Sequence, residues 1–323
     1  MHILRWLATL VLLTPLPTWA QPYPNKLVRI INPVAAGGNQ DIISRAVADQ
    51  LNRALGQPVV VEVRASGSAL VGTRFVKGAP PDGYTLLSIS NTFVRAPATM
   101  DDAGYDPMRD FAAVSRLAEV PLVLVVTPTL PVKSVSDLIA LAKARPGEIS
   151  TAHSGPGSTG HVASEMFCRR AGLKMLHVHY KGAAPAVIDL VGGHVMLRFD
   201  QVSTSLPFIR SNKLRALSVT TIKRSAVLPS VPTIAESGVA SLAGFNDPTY
   251  NGLMAPAGTP RDVIDKLRAE IAKAVADPVL HKRFLDIGIE LMSSATSDEF
   301  TAFLKKQASE FAVLAREAGI KSN

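Results

Sequence analysis

The chain has 323 residues, 47% of them hydrophobic, and carries 34 Lys and Arg against 26 Asp and Glu, for a net charge of +8. That length and hydrophobic content suit an α/β protein of two ordinary domains and exclude a disordered chain. The basic residues are dispersed, aromatics make up only 6%, and no nucleic-acid motif is visible, so nucleic acid is set aside as a partner and the charge is read as attraction for small anions.

At the start of the chain, His2 and Arg5 precede an apolar run over 6–13, and Thr18-Trp19-Ala20 stands before Gln21. This is the pattern of a cleaved secretory signal peptide over 1–20. The run is far shorter than the ~20 residues of a membrane-spanning helix. The expected mature product is exported and soluble, and loses only Arg5 from its basic residues. Its one cysteine, Cys168, has no intrachain disulfide partner and reads as a packed helix residue.

Strands and helices then alternate. An apolar, β-branched run over 27–32 predicts a strand, and Ile42, Ile43, Ala46, Val47, Leu51, Ala54 and Leu55 recur at helical spacing over 41–55, with Gly56 where the helix stops. Strands follow over 59–63 and 122–127. A helix over 135–144 opens on Ser134 and Asp137 as a capping box, and a strand over 149–152 leads to a helix over 159–171. A strand over 176–180, a helix with Pro185 in its first turn, and strands over 195–199 and 214–220 complete the series. The C-terminal third is helical: Thr259-Pro260 with Asp262 starts one helix running toward Ala276, and Thr296 with Glu299 starts another running toward Ala318. The alternation predicts two parallel sheets covered on both faces, joined by strands that cross between lobes, with the C-terminal helices bracing the first lobe.

Two glycine-rich loops stand out. Pro33-Val34-Ala35-Ala36-Gly37-Gly38-Asn39-Gln40-Asp41 and His153-Ser154-Gly155-Pro156-Gly157-Ser158-Thr159-Gly160-His161 each link a strand to a helix start. A helix start leaves amide N–H groups without intrahelical partners and carries partial positive charge, so each loop is a candidate anion site, and two such loops could grip one small anion. Gly37 and Gly38 also suit a turn that needs positive φ, and Asp41 reads as a complement to its helix start. Ser90, Asn91 and Thr92 end a further strand, and Asp200 ends another. These are cleft candidates with plain alternatives, turn formation for the first three and a buried hinge hydrogen bond for Asp200. Lys181 and Arg198 read as solvated surface charges.

Two other chemistries are weighed. His153, His161, His177, His179 and His194 crowd into one region, and His177 and His179 share a strand face, but no Cys or carboxylate completes a recognised metal spacing. No metal and no cofactor is assigned. Ser154 beside His153 raises the alternative of an exported serine-type hydrolase. It lacks a Gly-x-Ser-x-Gly elbow and an identifiable acid partner.

Seven segments together resemble the periplasmic solute-binding receptors of tripartite tricarboxylate transporters, the TctC/Bug type, over about 23–319. They are the first loop with Asp41, Pro81-Asp82-Gly83-Tyr84-Thr85-Leu86-Leu87, Tyr105-Asp106-Pro107-Met108-Arg109-Asp110-Phe111, Ser154-Gly155 through His161 and Glu165, Tyr180-Lys181-Gly182, Lys213-Leu214-Arg215-Ala216-Leu217, and Ala255-Pro256-Ala257-Gly258-Thr259-Pro260. The resemblance implies a type II periplasmic binding fold, α/β with two lobes around a ligand cleft, lobe 1 over 22–121 plus 242–323 and lobe 2 over 122–241. It implies a receptor, not an enzyme, that captures a small mono- or dicarboxylate for membrane transport subunits or a sensor kinase. It places ligand contacts at Val34, Ala36, Gly37, Gly38 and Asn39 on the first loop and at Ser154, Gly155, Gly157, Ser158 and Thr159 on the second, where Pro156 has no N–H to give. The chain departs from the family pattern at Val34, Ala35 and Ala36, at Leu70, and at Tyr250, a further ligand-contact candidate that stands where the family carries tryptophan. The first-loop changes imply a wider pocket.

Overall fold

The computed structural model describes residues 23–155, 157–180 and 182–320; the expected signal peptide over 1–20, Pro156 and Lys181 lie outside them. Strand β1 (Val28–Asn32) leads through the first loop into helix α1 (Asn39–Leu55). Ile43, Val47 and Leu51 recur every fourth residue on α1 and are fully buried, each contributing ~1.5–3 kcal/mol. Gly56, in the left-handed region at φ +66°, ends the helix. Strand β2 (Val59–Val63), helix α2 (Leu70–Lys77), strand β3 (Thr85–Ser90) and helix α3 (Thr92–Thr99) follow, then strand β4 (Phe111–Val120).

After Pro121 alone, strand β5 (Leu122–Val126) enters a second sheet. This half continues with α4 (Val135–Ala144), β6 (Ser150–His153), α5 (Thr159–Ala171), β7 (Leu176–His179), α6 (Ala183–Gly192), β8 (Leu197–Gln201), α7 (Val202–Arg210) and β9 (Arg215–Val219). As the sequence predicts, the Ser134 hydroxyl accepts from the Asp137 amide at 3.1 Å and caps α4. The chain returns where Thr220 and Asp247 bond reciprocally, amide to carbonyl at 3.0 Å and hydroxyl to carbonyl at 2.9 Å. Strand β10 (Thr249–Pro256), helices α8 (Arg261–Ala276) and α9 (Pro278–Leu285), strand β11 (Glu290–Leu291) and helix α10 (Ser297–Ala318) finish the first half.

The first sheet has the order β11-β4-β10-β3-β1-β2 and the second β7-β6-β8-β5-β9. Neither is purely parallel, which corrects the sequence expectation. β1 runs parallel to β2 and β3, but β10 is antiparallel to both β3 and β4, and β5 is antiparallel to both β8 and β9. β5 and β10 are the strands on which the chain enters one sheet from the other, and the short edge strand β11 is likewise antiparallel to β4. Helices cover both faces of each sheet. α1, α8 and α9 pack on one side of the first and α3 and α10 on the other, so the C-terminal helices do brace this half. α4 and α5 cover one side of the second sheet and α6 and α7 the other. No helix among the described residues is long and apolar enough to cross a membrane.

Candidate functional site

The second loop leaves β6 at His153 and turns through Gly155 at φ +134° and Gly157 at φ +70°, conformations that favour glycine. Ser158 N–H donates to the Gly155 carbonyl at 3.2 Å, and Gly157 N–H donates to His161 Nδ1 at 3.0 Å. Val162 N–H donates to the Ser158 carbonyl in the first turn of α5, and the amides at such a helix start are suited to hold an anion. Ser158 occupies the N-cap position but does not cap, and its buried Oγ has no partner. Gly160 lets α5 approach β8, since a Cβ there would collide with the Phe199 carbonyl.

Facing Ser158 from the first half is a polar stripe on α3. Thr92, Arg95, Ala96 and Thr99, with Ser68, Gly157 and Ser158, line a pocket of about 170 Å³. That is smaller than the ~300–1,000 Å³ of drug-sized sites and suits a small metabolite. Arg95 is 6% exposed. Its Nη2 donates to Asp247 Oδ1 at 2.9 Å and its guanidinium lies 5.2 Å from the Phe311 ring centroid, while Nη1 is buried with no partner. Burial pushes the Asp247 carboxyl up from its ordinary range, and Arg95 opposes that rise. Ser68 and its neighbour Ala69 hold φ of +54° and +61° without being glycine, local strain of the kind that gathers at ligand sites.

Of the residues expected from the sequence, Thr92, Gly157 and Ser158 meet in this pocket, with Thr159 next to it as the first residue of α5. The first loop is engaged elsewhere. Val34 is half-buried, and Ala36, Gly37 and Gly38 are exposed. Gly37 N–H donates to Asp41 Oδ2 at 3.0 Å, so Asp41 does complement its own helix start. Asn39 reaches across to the second half, where Nδ2 donates to Gln201 Oε1 at 2.7 Å and Ser203 Oγ at 2.8 Å. Asn91 is buried and committed to the backbone, donating to the Pro248 carbonyl at 3.1 Å and accepting from Tyr250 N–H at 3.0 Å. Ser90 ends β3, half-buried and opposite Asn251. Tyr250 is fully buried in the first-half core with its ring 4.9 Å from Phe303, and burial raises its hydroxyl pKa.

Asp200 takes the buried hydrogen-bonding alternative, accepting from Arg198 Nε at 2.9 Å and Ser205 Oγ at 2.8 Å. Arg198 is not the solvated charge expected. It is 3% exposed and also donates from Nη2 to Ser154 Oγ at 2.8 Å, bracing the second loop from below. Ser154 thus faces a guanidinium, whereas His153 Nε2 lies 3.0 Å from His177 Nδ1, so the two neighbours in sequence do not form a serine–base pair. Burial, then the adjacent His161, His177 and His179, push the His153 pKa down to about 2.

Ser68, Arg95, Ala96 and Thr99 are the lining residues that the sequence reading missed. The signal for Arg95 was a single cation in an otherwise apolar eight-residue run, with Thr92, Ala96 and Thr99 at helical spacing; Pro97 within the helix hid the period.

Residues 43–320 match the family profile described as the tripartite tricarboxylate transporter family receptor. Protein BugT of Bordetella pertussis is 36% identical over 307 residues, covering 94% of this chain and 93% of its own. Among solved structures, R. palustris Rpa4515 with adipate has a TM-score of 0.81 at 33% identity, covering 93% of this chain and 99% of its own. MatC from Rhodopseudomonas palustris with bound malate has a TM-score of 0.77 at 27% identity, covering 90% and 99%. The matched profile is that of a transporter receptor, not of an enzyme. With that likeness running along nearly all of the described chain, the protein belongs to the tripartite tricarboxylate transporter receptor family of TctC/Bug-type solute-binding proteins.

Proposed function

We propose that this chain is an exported periplasmic receptor that captures a small mono- or dicarboxylate in the pocket between its two sheets. It then presents the ligand to tripartite tricarboxylate membrane subunits or to a sensor kinase. The observation that carries this reading is the convergence of donors without acceptors. Arg95 Nη1 and Ser158 Oγ, both buried and unpartnered, belong to residues lining the same pocket at the start of α5. A carboxylate supplies about four acceptor positions and a negative charge, which is what these groups lack.

The magnitudes suffice. Charge-assisted hydrogen bonds contribute ~1.5–3 kcal/mol each and a partly buried helix start up to ~2 kcal/mol. Several together support micromolar binding, which is about 8 kcal/mol. The adipate and malate held by the two relatives fit the same chemistry. The lobes are taken as 22–121 plus 242–323 and 122–241, flexing at Pro121 and at the Thr220–Asp247 pair, with Asn39 as a clasp across the cleft.

A thermal-shift screen of mono- and dicarboxylates tests the reading. A true ligand at ~100 times its dissociation constant adds ~2.7 kcal/mol to the unfolding free energy and raises the melting temperature. Stabilisation by a neutral sugar, with none from any acid, would refute it.

A further inference from the structure

Behind the second loop, on the face of the second sheet that α5 covers, the fold gathers four imidazoles and a carboxylate. His161 and Glu165 lie one helical turn apart on α5, and His177 and His179 share a face of the edge strand β7. The carboxylate that the sequence spacing did not offer therefore comes from a helix packed over the strand. His177 Nε2 stands 3.4 Å from Glu165 Oε1, and His161 Nε2 stands 3.6 Å from the same oxygen. One donor atom from each of the three residues falls within 4.8 Å of the others.

Both separations exceed the 2.7–3.2 Å range of a good N–H···O hydrogen bond. They lie nearer a different arrangement, which the widest donor separation, up to 4.8 Å, completes by side-chain rotation. A tetrahedral ion with bonds of about 2.0–2.1 Å holds its donors about 3.3–3.4 Å apart. We propose that His161, Glu165 and His177 form a binding site for a divalent transition cation of the zinc type, with His179 beside its open position. The His179 ring centroid lies 4.8 Å from that of His161. His153 supplies the outer support that such sites use. Its Nε2 lies 3.0 Å from His177 Nδ1 and fixes that ring with Nε2 turned toward the ion.

Loading has a consequence for the second loop. Ligation through His161 Nε2 places that ring's proton on Nδ1, so the Gly157 N–H contact at 3.0 Å must be released.

The test uses the mature full chain with no affinity tag, stripped with chelator, and Zn2+ or Co2+ alone as the probe. The proposal predicts one ion per chain by competition against a chromophoric chelator, a visible Co2+ absorption band of tetrahedral type, and a displaced Gly157 amide resonance in protein labelled with nitrogen-labelled glycine. Glu165→Gln and His177→Gln should each weaken binding by more than about tenfold with an unchanged circular dichroism spectrum, and His153→Asn, which acts only through His177, by about 10–100-fold. His194→Gln, at an exposed histidine away from the cluster, should bind as the parent does. No stoichiometric ion, equal affinity in the Glu165→Gln and His177→Gln variants, or loss only in His194→Gln would overturn the proposal. None of these readouts depends on a carboxylate ligand.

Discussion

Arg95→Gln separates the ligand-binding role of the guanidinium from its structural one. In the parent, Arg95 and Asp247 are a buried pair, 6% and 4% exposed, and removing one partner of such a pair costs about 3–5 kcal/mol because the other is left as an uncompensated buried charge. In a chain of this size that corresponds to a fall in melting temperature on the order of 10 °C. The Asp247 carboxyl is already pushed upward by burial with Arg95 opposing, so in the variant it holds its proton more tightly folded than unfolded. The single variant therefore loses stability as pH rises above about 4, the ordinary carboxylate range, and is less impaired at pH 5 than at pH 8. The double variant Arg95→Gln with Asp247→Asn removes both charges and should recover most of the melting temperature. It should not recover binding. Loss of one charge-assisted contact of ~1.5–3 kcal/mol lowers affinity for adipate or malate by about 10–150-fold, read by isothermal titration beside thermal melts. A double variant that binds either acid as tightly as the parent would remove Arg95 from the site and with it the reasoning from unpartnered donors.

Other predictions follow from single contacts. Ser158→Ala deletes a hydroxyl that has no partner in the structure, so it should leave the melt of the ligand-free protein nearly unchanged while weakening carboxylate binding by up to about tenfold; unchanged affinity contradicts its role. Gly160→Ala drives a methyl into the Phe199 carbonyl and should destabilise by roughly 1–3 kcal/mol in urea titrations, moving the start of α5 and reducing affinity together. Asn39→Ala breaks the bonds to Gln201 and Ser203, so the ligand-free radius of gyration should rise in X-ray scattering while saturating ligand restores the compact value. Burial alone would raise the Asp41 pKa, but the hydrogen bonds from Arg45, Gly37 and Asn32 outweigh it and lower it. Its stabilisation is therefore present above about pH 4 and lost as pH falls through that range, and Asp41→Asn should flatten the acid limb of urea midpoints measured between pH 6 and pH 3.

Much of the second half was legible because its elements obey local rules. α4 and α5 fall on the residues expected, with Ser134 capping the start of α4 and Gly172, at φ +65°, ending α5. The sequence pattern does not announce α2, α3, α7 or α9. α2 and α3 span only eight residues and α7 nine, too few turns for a clear period, and Pro97 and Pro207 stand inside two of them. The antiparallel strands were invisible for another reason, because direction in a sheet depends on how distant segments assemble and leaves no mark on a strand buried on both faces, such as β5. The same limit governs the site. Glycine and serine on the second loop mark a candidate anion site from spacing alone, whereas Arg95 reaches the same pocket from a helix more than sixty positions away in sequence. Likewise Glu165 joins His177 only because α5 packs over β7. Asn91, a cleft or turn candidate in sequence, is buried and bonded to the backbone, and Asp200 takes the buried hydrogen-bonded alternative of the two that its sequence position left open.

The most direct test is a crystal structure of the mature chain with adipate. The account predicts one carboxylate within hydrogen-bond distance of Arg95 Nη1, Ser158 Oγ and the first amides of α5, with both sheets contributing contacts. A carboxylate bound elsewhere, with Arg95 Nη1 still unpartnered, would contradict it.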